Sequence, residues 1–387
     1  MAQRFFYTFI FIFWLIIACR ASADVWPTSK TWSEAFEAKY TSWISARFTE
    51  SFYLKGPWGG ISTDCADAIY GARIIFSFEN GLPFSLDPGD SHFSNATKNF
   101  DEISDPELRV RAFLEFVNSR TWTGSLSRHT YPVAITRESI VPGVIWMKPG
   151  HAETVLRVRD TGAIEVRGSW LPSAVRKMIT ITTLGYIPNK TTQGFRRWIW
   201  PQNFVLPPEQ QPGYSEAQFE NSSPNSSSLE HFRSVSKFEE SVRSKLSRKP
   251  ESAKARLNRT AHDFCALLAA RSQVVQLGYD YVSKIDRCLG EKEYDAYSTP
   301  NRDANLRRVA VGLGLLQGND LNKVRAILNS CTSNAIAGTE KIEPYDFFRR
   351  MLKLEYSSDP HQTPAARFGL AEAEPTCDTS ALGGDQN

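Results

Sequence analysis

Trp58-Gly59-Gly60-Ile61-Ser62-Thr63-Asp64-Cys65-Ala66-Asp67 is a glycine-rich turn, a run of helix-capping residues and then a cysteine that opens an apolar segment. Ser62, Thr63 and Asp64 are each able to serve as N-cap, and a helix starting here presents Cys65, Ile69, Ala72 and Phe76 along one face. Unpaired backbone N–H groups and the macrodipole at a helix start favour thiolate over thiol. The stretch therefore predicts a cysteine nucleophile with a depressed pKa.

Around this stretch the periodicity is that of a mixed α+β unit. Trp32, Phe36, Tyr40 and Trp43 recur at spacings of three and four and predict a helix over Thr31–Arg47. The helix opened by Cys65 stops near Asn80-Gly81, with Pro83 just beyond. Ser85–Asn99 reads as loop, and Asp105–Asn118 as a further helix. After Pro142-Gly143 the period changes to two. Val144–Met147, Ala152–Val158 and Ala163–Val166 read as strands, the last two joined by a turn at Asp160-Thr161-Gly162. His151 falls at the head of the first hairpin strand.

A cysteine at the start of a helix and a histidine on a following strand are the two groups that a cysteine peptidase needs. The imidazole takes the thiol proton and later protonates the departing amine, so the side chains must meet where helix and sheet adjoin. The other histidines lack such a setting. His92 and His129 sit in polar stretches and read as solvated, and His262 reads as a helix-surface or packing residue.

The N-terminus sets the compartment. Arg4 precedes an apolar run from Phe5 to Ala18 and a small-x-small site, Ala21-Ser22-Ala23, which together read as a signal peptide cleaved after Ala23. The alternative is a lipoprotein box, Leu15-Ile16-Ile17-Ala18-Cys19, with a lipid anchor on Cys19. Either reading places the protein outside the cytoplasm, in the periplasm or cell envelope, where spare thiols oxidise. Beyond Cys19 there remain Cys65, Cys265, Cys288, Cys331 and Cys377, an odd number, so one stays unpaired in a monomer. Cys65 stands alone in the first half, and the other four cluster in the C-terminal third. If Glu251–Leu289 is one helix, Cys265 and Cys288 lie about 34 Å apart along its axis and cannot bond to each other. Each then pairs with Cys331 or Cys377.

The chain has 387 residues, 41% hydrophobic, with a formal net charge of +3 and its basic and acidic residues intermixed, a balance that predicts no nucleic-acid partner. That length allows two ordinary domains. The Pro, Gln, Ser and Asn-rich stretch after Leu206 divides them. The expected organisation is a signal peptide over 1–23, a hydrolase domain over 24–205, a linker over 206–250, a small all-α disulfide-stapled domain over 251–356 and a flexible tail over 357–387. Further helices are predicted at Arg307–Leu316, Asp320–Leu328 and Tyr345–Leu354. Four cysteines without nearby histidines make a poor case for zinc.

Trp58-Gly59-Gly60 followed by Asp64-Cys65, and Pro142-Gly143-Val144-Ile145-Trp146 followed by Gly150-His151-Ala152-Glu153-Thr154-Val155, resemble the motifs of the NlpC family of papain-like cell-wall cysteine peptidases. The resemblance covers roughly Phe52–Trp170. It implies a papain-like domain in which a helix bearing the cysteine packs on an antiparallel sheet bearing the histidine. It also implies hydrolysis of an amide bond in peptidoglycan stem peptides, or a related envelope peptide, with no metal or organic cofactor. The chain departs from the family pattern at several points. Asp67 stands where a small residue follows D-C-S, Val144 replaces the acid of P-G-D, and Gly56 occupies the position of a tyrosine near the oxyanion site, with Tyr53 as a nearby substitute. An oxyanion site is expected at the Cys65 backbone N–H.

The third polar residue, which orients the histidine, follows from counting the hairpin outward from Thr161. That count sets His151 opposite the window Gly168–Pro172 and selects Ser169, with Arg167 and Glu165 as poorer alternatives. Two other functions use the same residues. Transglutaminase-like domains also place a cysteine at a helix start and Gly-His-Ala on a strand, but then require an aspartate on the next strand. A catalytically silent envelope-binding module is the non-enzymatic alternative.

Overall fold

The computed structural model describes residues 24–86, 93–219, 229–318, 320–329, 331, 335–337, 340–374 and 377. The expected signal peptide, Cys19 and His92 lie outside the described residues.

The chain begins with helices α1 (Glu34–Arg47), α2 (Cys65–Asn80), α3 (Pro106–Asn118) and the short α4 (Thr123–Leu126). Ser33 caps α1 by accepting the Phe36 N–H, and the aromatic stripe foreseen on that helix packs Tyr40 and Trp43 edge-on against Phe76 of α2. Gly81 ends α2 in the left-handed conformation, φ +63°, which a Cβ would disfavour. A six-stranded antiparallel sheet follows, built from β1 (Thr130–Pro132), β2 (Ile145–Lys148), β3 (His151–Val158), β4 (Ile164–Gly168), β5 (Ile179–Ile181) and β6 (Gly194–Trp198), in the order β1-β6-β2-β3-β4-β5. The β3–β4 hairpin turns where the sequence predicts. β6 inserts between β1 and β2, a long-range pairing that no local pattern announces.

Alternation gives the sheet two dressed faces. Ile145, Met147, Ala152 and Leu156 join the core formed with α1–α3, including Trp26, Tyr40, Ile69 and Phe113. Val144, Trp146, Val155, Ile164 and Val166 face the other way. On that side lie helices α5 (Leu229–Leu246), α6 (Ala253–Val282), α7 (Glu291–Tyr297), α8 (Pro300–Leu316) and α9 (Leu321–Leu328), then the ribbon β7 (Ala335–Ala337) and β8 (Glu340–Ile342), and α10 (Pro344–Lys353) and α11 (Pro364–Arg367). Trp146, Ile181 and Leu184 share one core with Phe264, Leu306, Leu313 and Phe348.

This arrangement corrects the expectation of a self-contained helical domain behind a linker. The span 206–250 contains α5, whose Val235, Val242 and Leu246 are buried, and Gly162 at the hairpin turn is pressed so closely on Arg243 that a Cβ would overlap its carbonyl. Polar ties reinforce the junction: Asp263 of α6 accepts the Thr182 N–H at 2.9 Å, and Glu239 of α5 accepts the N–H groups of Leu184 and Gly185, each at 2.8 Å. The helical half completes a layer that the sheet would otherwise expose to water. The expected flexible tail is also partly structured, since α11 buries Arg367, whose guanidinium donates to the carbonyls of Tyr297 and Ser358.

Cys265 and Cys288 each pair with one of the two downstream cysteines, as expected, although α6 ends at Val282 and does not reach Cys288. α6 is one helix, and Cys265 lies beside Cys331 and Cys288 beside Cys377 with Cα separations of 5.8 and 6.0 Å, both within disulfide geometry. Cys65 is left free. Among the described residues no helix is long and apolar enough to cross a membrane.

Candidate active site

Cys65 is the first residue of α2. Asp64 is the N-cap, its carboxylate accepting the N–H groups of Ala66 at 2.9 Å and Asp67 at 3.0 Å, while Asp67 closes a capping box by accepting the Asp64 N–H at 2.9 Å. The glycine turn before it bends through Gly56 and Gly60, both at positive φ. Thr63 pairs with Ala174 as an isolated antiparallel bridge, which lays the loop after β4 over the head of α2.

The thiol is 3% exposed. Its Sγ lies 3.3 Å from Thr123 Oγ1, and the backbone of Ala152 on β3 acts to lower its pKa. Burial, then the charge of Asp64, pushes the Cys65 pKa up to about 12, with Asp67 acting in the same direction. The expectation of a depressed pKa from the helix terminus is therefore overturned in this conformation. Two carboxylates at the same helix start and exclusion of water outweigh the macrodipole, whose influence is modest. Asp67 is itself pushed up to about 7, by burial and then by Asp64.

His151 opens β3 immediately after Gly150, which turns at φ +65°. By alternation its ring projects to the face opposite Ala152, where it stacks on Trp170 with centroids 5.2 Å apart. Nε2 lies 3.4 Å from Glu153 Oε1, and Lys148 Nζ lies 3.2 Å from Glu153 Oε2. Glu153 is 1% exposed. Burial opposes its charge, but Lys148 and His151 outweigh that and hold its carboxyl below the usual carboxylate range. Burial lowers the His151 pKa, and Glu153 acts against the fall. The thiol and the imidazole thus flank the same peptide unit from two faces of one strand end. The imidazole's polar neighbour is Glu153, and the thiol's side-chain partner is Thr123.

Ser169 does not orient the histidine. It lies on the α2 face, as a strand neighbour one step from Trp170 must, and donates to the Thr63 carbonyl at 2.9 Å. The two alternatives are engaged elsewhere: Glu165 with Arg157 and Arg159, and Arg167 with Thr180 and the Phe48 carbonyl. The residue that sequence reasoning missed is Glu153. Its signal was present, because residues two apart on a strand share a face. Tyr53 does not fill the place of the absent tyrosine, since its hydroxyl donates to the Ala68 carbonyl at 2.8 Å and braces α2.

His129, expected in solvent, is buried. Its Nδ1 is 2.7 Å from the Tyr70 hydroxyl, which also meets Ser125 at 3.0 Å, and burial pushes its pKa down to about 4. Trp198 packs edge-on against Tyr70 at 5.4 Å, so this is a core network rather than a second site. His262 is largely exposed on α6, as expected for a helix surface. Cys288, His361 and Cys377 have metal-like spacing, but the two sulfurs pair and the imidazole is saturated. His361 Nδ1 meets Asp359 at 2.9 Å and Nε2 accepts the Leu289 N–H at 3.0 Å.

No protein-family model, curated protein or solved structure matches the chain.

Proposed function

We propose that the protein is an exported cysteine hydrolase that cleaves an amide bond in peptidoglycan stem peptides or a related envelope peptide, with Cys65 as nucleophile and His151 as general base and acid. One observation carries this reading. The backbone of Ala152, the residue next to His151, lies close enough to Cys65 to lower its pKa, and a buried carboxylate, Glu153, stands beside the imidazole. Nucleophile, base and acid thus lie about one strand end beside one helix start, the thiol on the α2 face and the imidazole with Glu153 on the other, and these are the group types that thiol-based acyl chemistry needs.

In the resting arrangement the thiol is neutral and the ring rests on Trp170. The ring stacks on Trp170 on the face away from α2, so bringing the imidazole to the sulfur takes a rearrangement of the strand end at Gly150-His151, which begins at a glycine of φ +65°. There the imidazole removes the thiol proton. The thiolate adds to the substrate carbonyl, the C–N bond breaks as the imidazolium returns the proton to the departing amine, and water then hydrolyses the thioester with His151 as base. Glu153 stabilises the imidazolium that forms at each stage. The two disulfide pairs agree with an oxidising, exported setting.

The acyl-transfer alternative has less support. A transglutaminase-like site needs a carboxylate on the strand after the histidine, and Glu165 of β4 is occupied by two arginines. The test is turnover of purified peptidoglycan stem peptides, followed by chromatography. Cys65→Ala and His151→Ala should abolish product release while leaving the far-ultraviolet spectrum and thermal midpoint in place. Unchanged turnover in either folded variant overturns the proposal.

A further inference from the structure

Two arginines at the loop over the head of α2 lack the carboxylate partner that Arg73, Arg271 and Arg308 have. Arg73 pairs with Glu37, Arg271 with Asp303 and Arg308 with Glu239. Arg176 and Arg302 form no carboxylate ion pair among the described residues, and the Nε of each is buried without a hydrogen-bond partner. Their other nitrogens bond only to carbonyl oxygens. Arg302 donates to Ser298 at 2.9 Å and Leu171 at 2.7 Å, and Arg176 donates to Pro172.

The two reach the same place from opposite halves of the chain. Arg176 lies on the loop that Thr63 and Ala174 bind over the head of α2. That loop is held further by Ser62–Ser173 at 3.1 Å and by Ser173 donating to Asp67 at 3.2 Å. Arg302 comes from the first turn of α8 and grips the same loop. Asp64 and then Cys65 act on the charge of Arg176, and Arg176, then Asp303 and Cys65, act on that of Arg302. Burial brings each guanidinium pKa down only to about 10, so both stay charged at neutral pH. Two cations that repel each other, each with an unfilled Nε–H donor and no carboxylate in ion-pair contact among the described residues, are placed to receive an anion. A planar carboxylate matches guanidinium geometry with two parallel hydrogen bonds.

We infer that Arg176 and Arg302 form a subsite for a carboxylate carried by the substrate next to the bond attacked by Cys65. The inference rests on the hydrolase reading for the identity of the attacked bond, and it narrows the substrate to peptides bearing a free carboxylate at that position. It also gives the helical half a role in the site, since α8 supplies one of the two guanidinium groups.

Binding is measured by calorimetry on full-length Cys65→Ala protein. The probes are the stem tetrapeptide L-Ala-γ-D-Glu-L-Lys-D-Ala and an analogue with both α-carboxyls converted to amides. The free acid should bind about ten- to a hundred-fold more tightly, as loss of charge-assisted hydrogen bonds predicts. Arg176→Gln and Arg302→Gln should each shrink that ratio, with Arg176→Lys retaining part of it. The comparison between peptides needs no arginine variant, so a misfolded mutant leaves it intact. Equal affinity for the two peptides, or no binding of either at about 1 mM, overturns the inference. Discrimination without turnover by the wild-type protein would sink the hydrolase reading and leave the subsite standing. Turnover without discrimination would do the reverse.

Discussion

Replacing Asp64 by Asn should make Cys65 more reactive. The Cys65 pKa is raised chiefly by burial and next by the Asp64 carboxylate, to about 12, so at pH 7.5 only roughly 3 × 10⁻⁵ of the thiol is ionised, against about a tenth for a free cysteine of pKa near 8.5. Alkylation of the resting protein should therefore run about three thousand-fold slower than that of a cysteine peptide on ionisation alone, and slower still because the sulfur is buried. Asparagine matches aspartate as an N-cap and retains an oxygen for the Ala66 and Asp67 N–H groups, so α2 should survive the change. Removing one adjacent negative charge should speed alkylation by about ten-fold or more. The assay is iodoacetamide labelling of protein beginning at Asp24, with both disulfides intact, followed by peptide mass spectrometry of the Cys65 fragment. An unchanged or slower rate in folded Asp64→Asn protein, or wild-type alkylation as fast as that of a free peptide thiol, would refute the reasoning.

Asp67 has a folded pKa of about 7, above its unfolded value, so between about pH 4 and 7 the native state holds the extra proton and stability falls as pH rises through that window. Asp67→Asn should remove this slope in thermal midpoints measured across the range; an identical slope in the variant would contradict it. His129 works in the opposite direction. Its folded pKa of about 4 is below the unfolded value, so its contribution is present above about pH 6.5 and is lost as pH falls toward 4, and the Asp67→Asn protein should show that acid loss more plainly. The Cys265–Cys331 pair closes a loop of 66 residues, and Cys265→Ala with Cys331→Ala should lower unfolding free energy by about 2–4 kcal/mol in denaturant titrations. No change would mean that the pair is not bonded in solution.

Much of the first half was legible because its signals are local. The Asp64 cap, the Gly81 stop, the aromatic spacing of α1 and the turn at Asp160-Thr161-Gly162 all act over a few residues, whereas which of Cys331 and Cys377 each upstream cysteine takes is decided by packing. What escaped was decided across long distances. β6 carries Arg196 and Arg197 yet pairs in the middle of the sheet, where the Arg196 guanidinium is satisfied by Thr130 and the Ser127 carbonyl. α5 was hidden by the Ser and Asn-rich composition next to it, although Val235, Phe238, Val242 and Leu246 carry helical spacing. In the site, hairpin counting placed His151 opposite the correct window, but the parity of the strand gave that position to Trp170 and turned Ser169 to the other face. Glu153 shares a face with His151 along one strand, a relation that pairing across strands does not reveal. The direction of the Cys65 pKa was misjudged because burial depends on Thr123, β3 and the loop after β4, none of which is adjacent in sequence.

The central claim is that Cys65 forms the covalent intermediate. Protein incubated with peptidoglycan stem peptides, quenched in acid and digested, should yield a Cys65 peptide carrying the acyl half of the substrate as a thioester, accumulating in wild type and absent from His151→Ala. Product release with Cys65 unmodified throughout, and turnover undiminished in Cys65→Ala, would contradict the account.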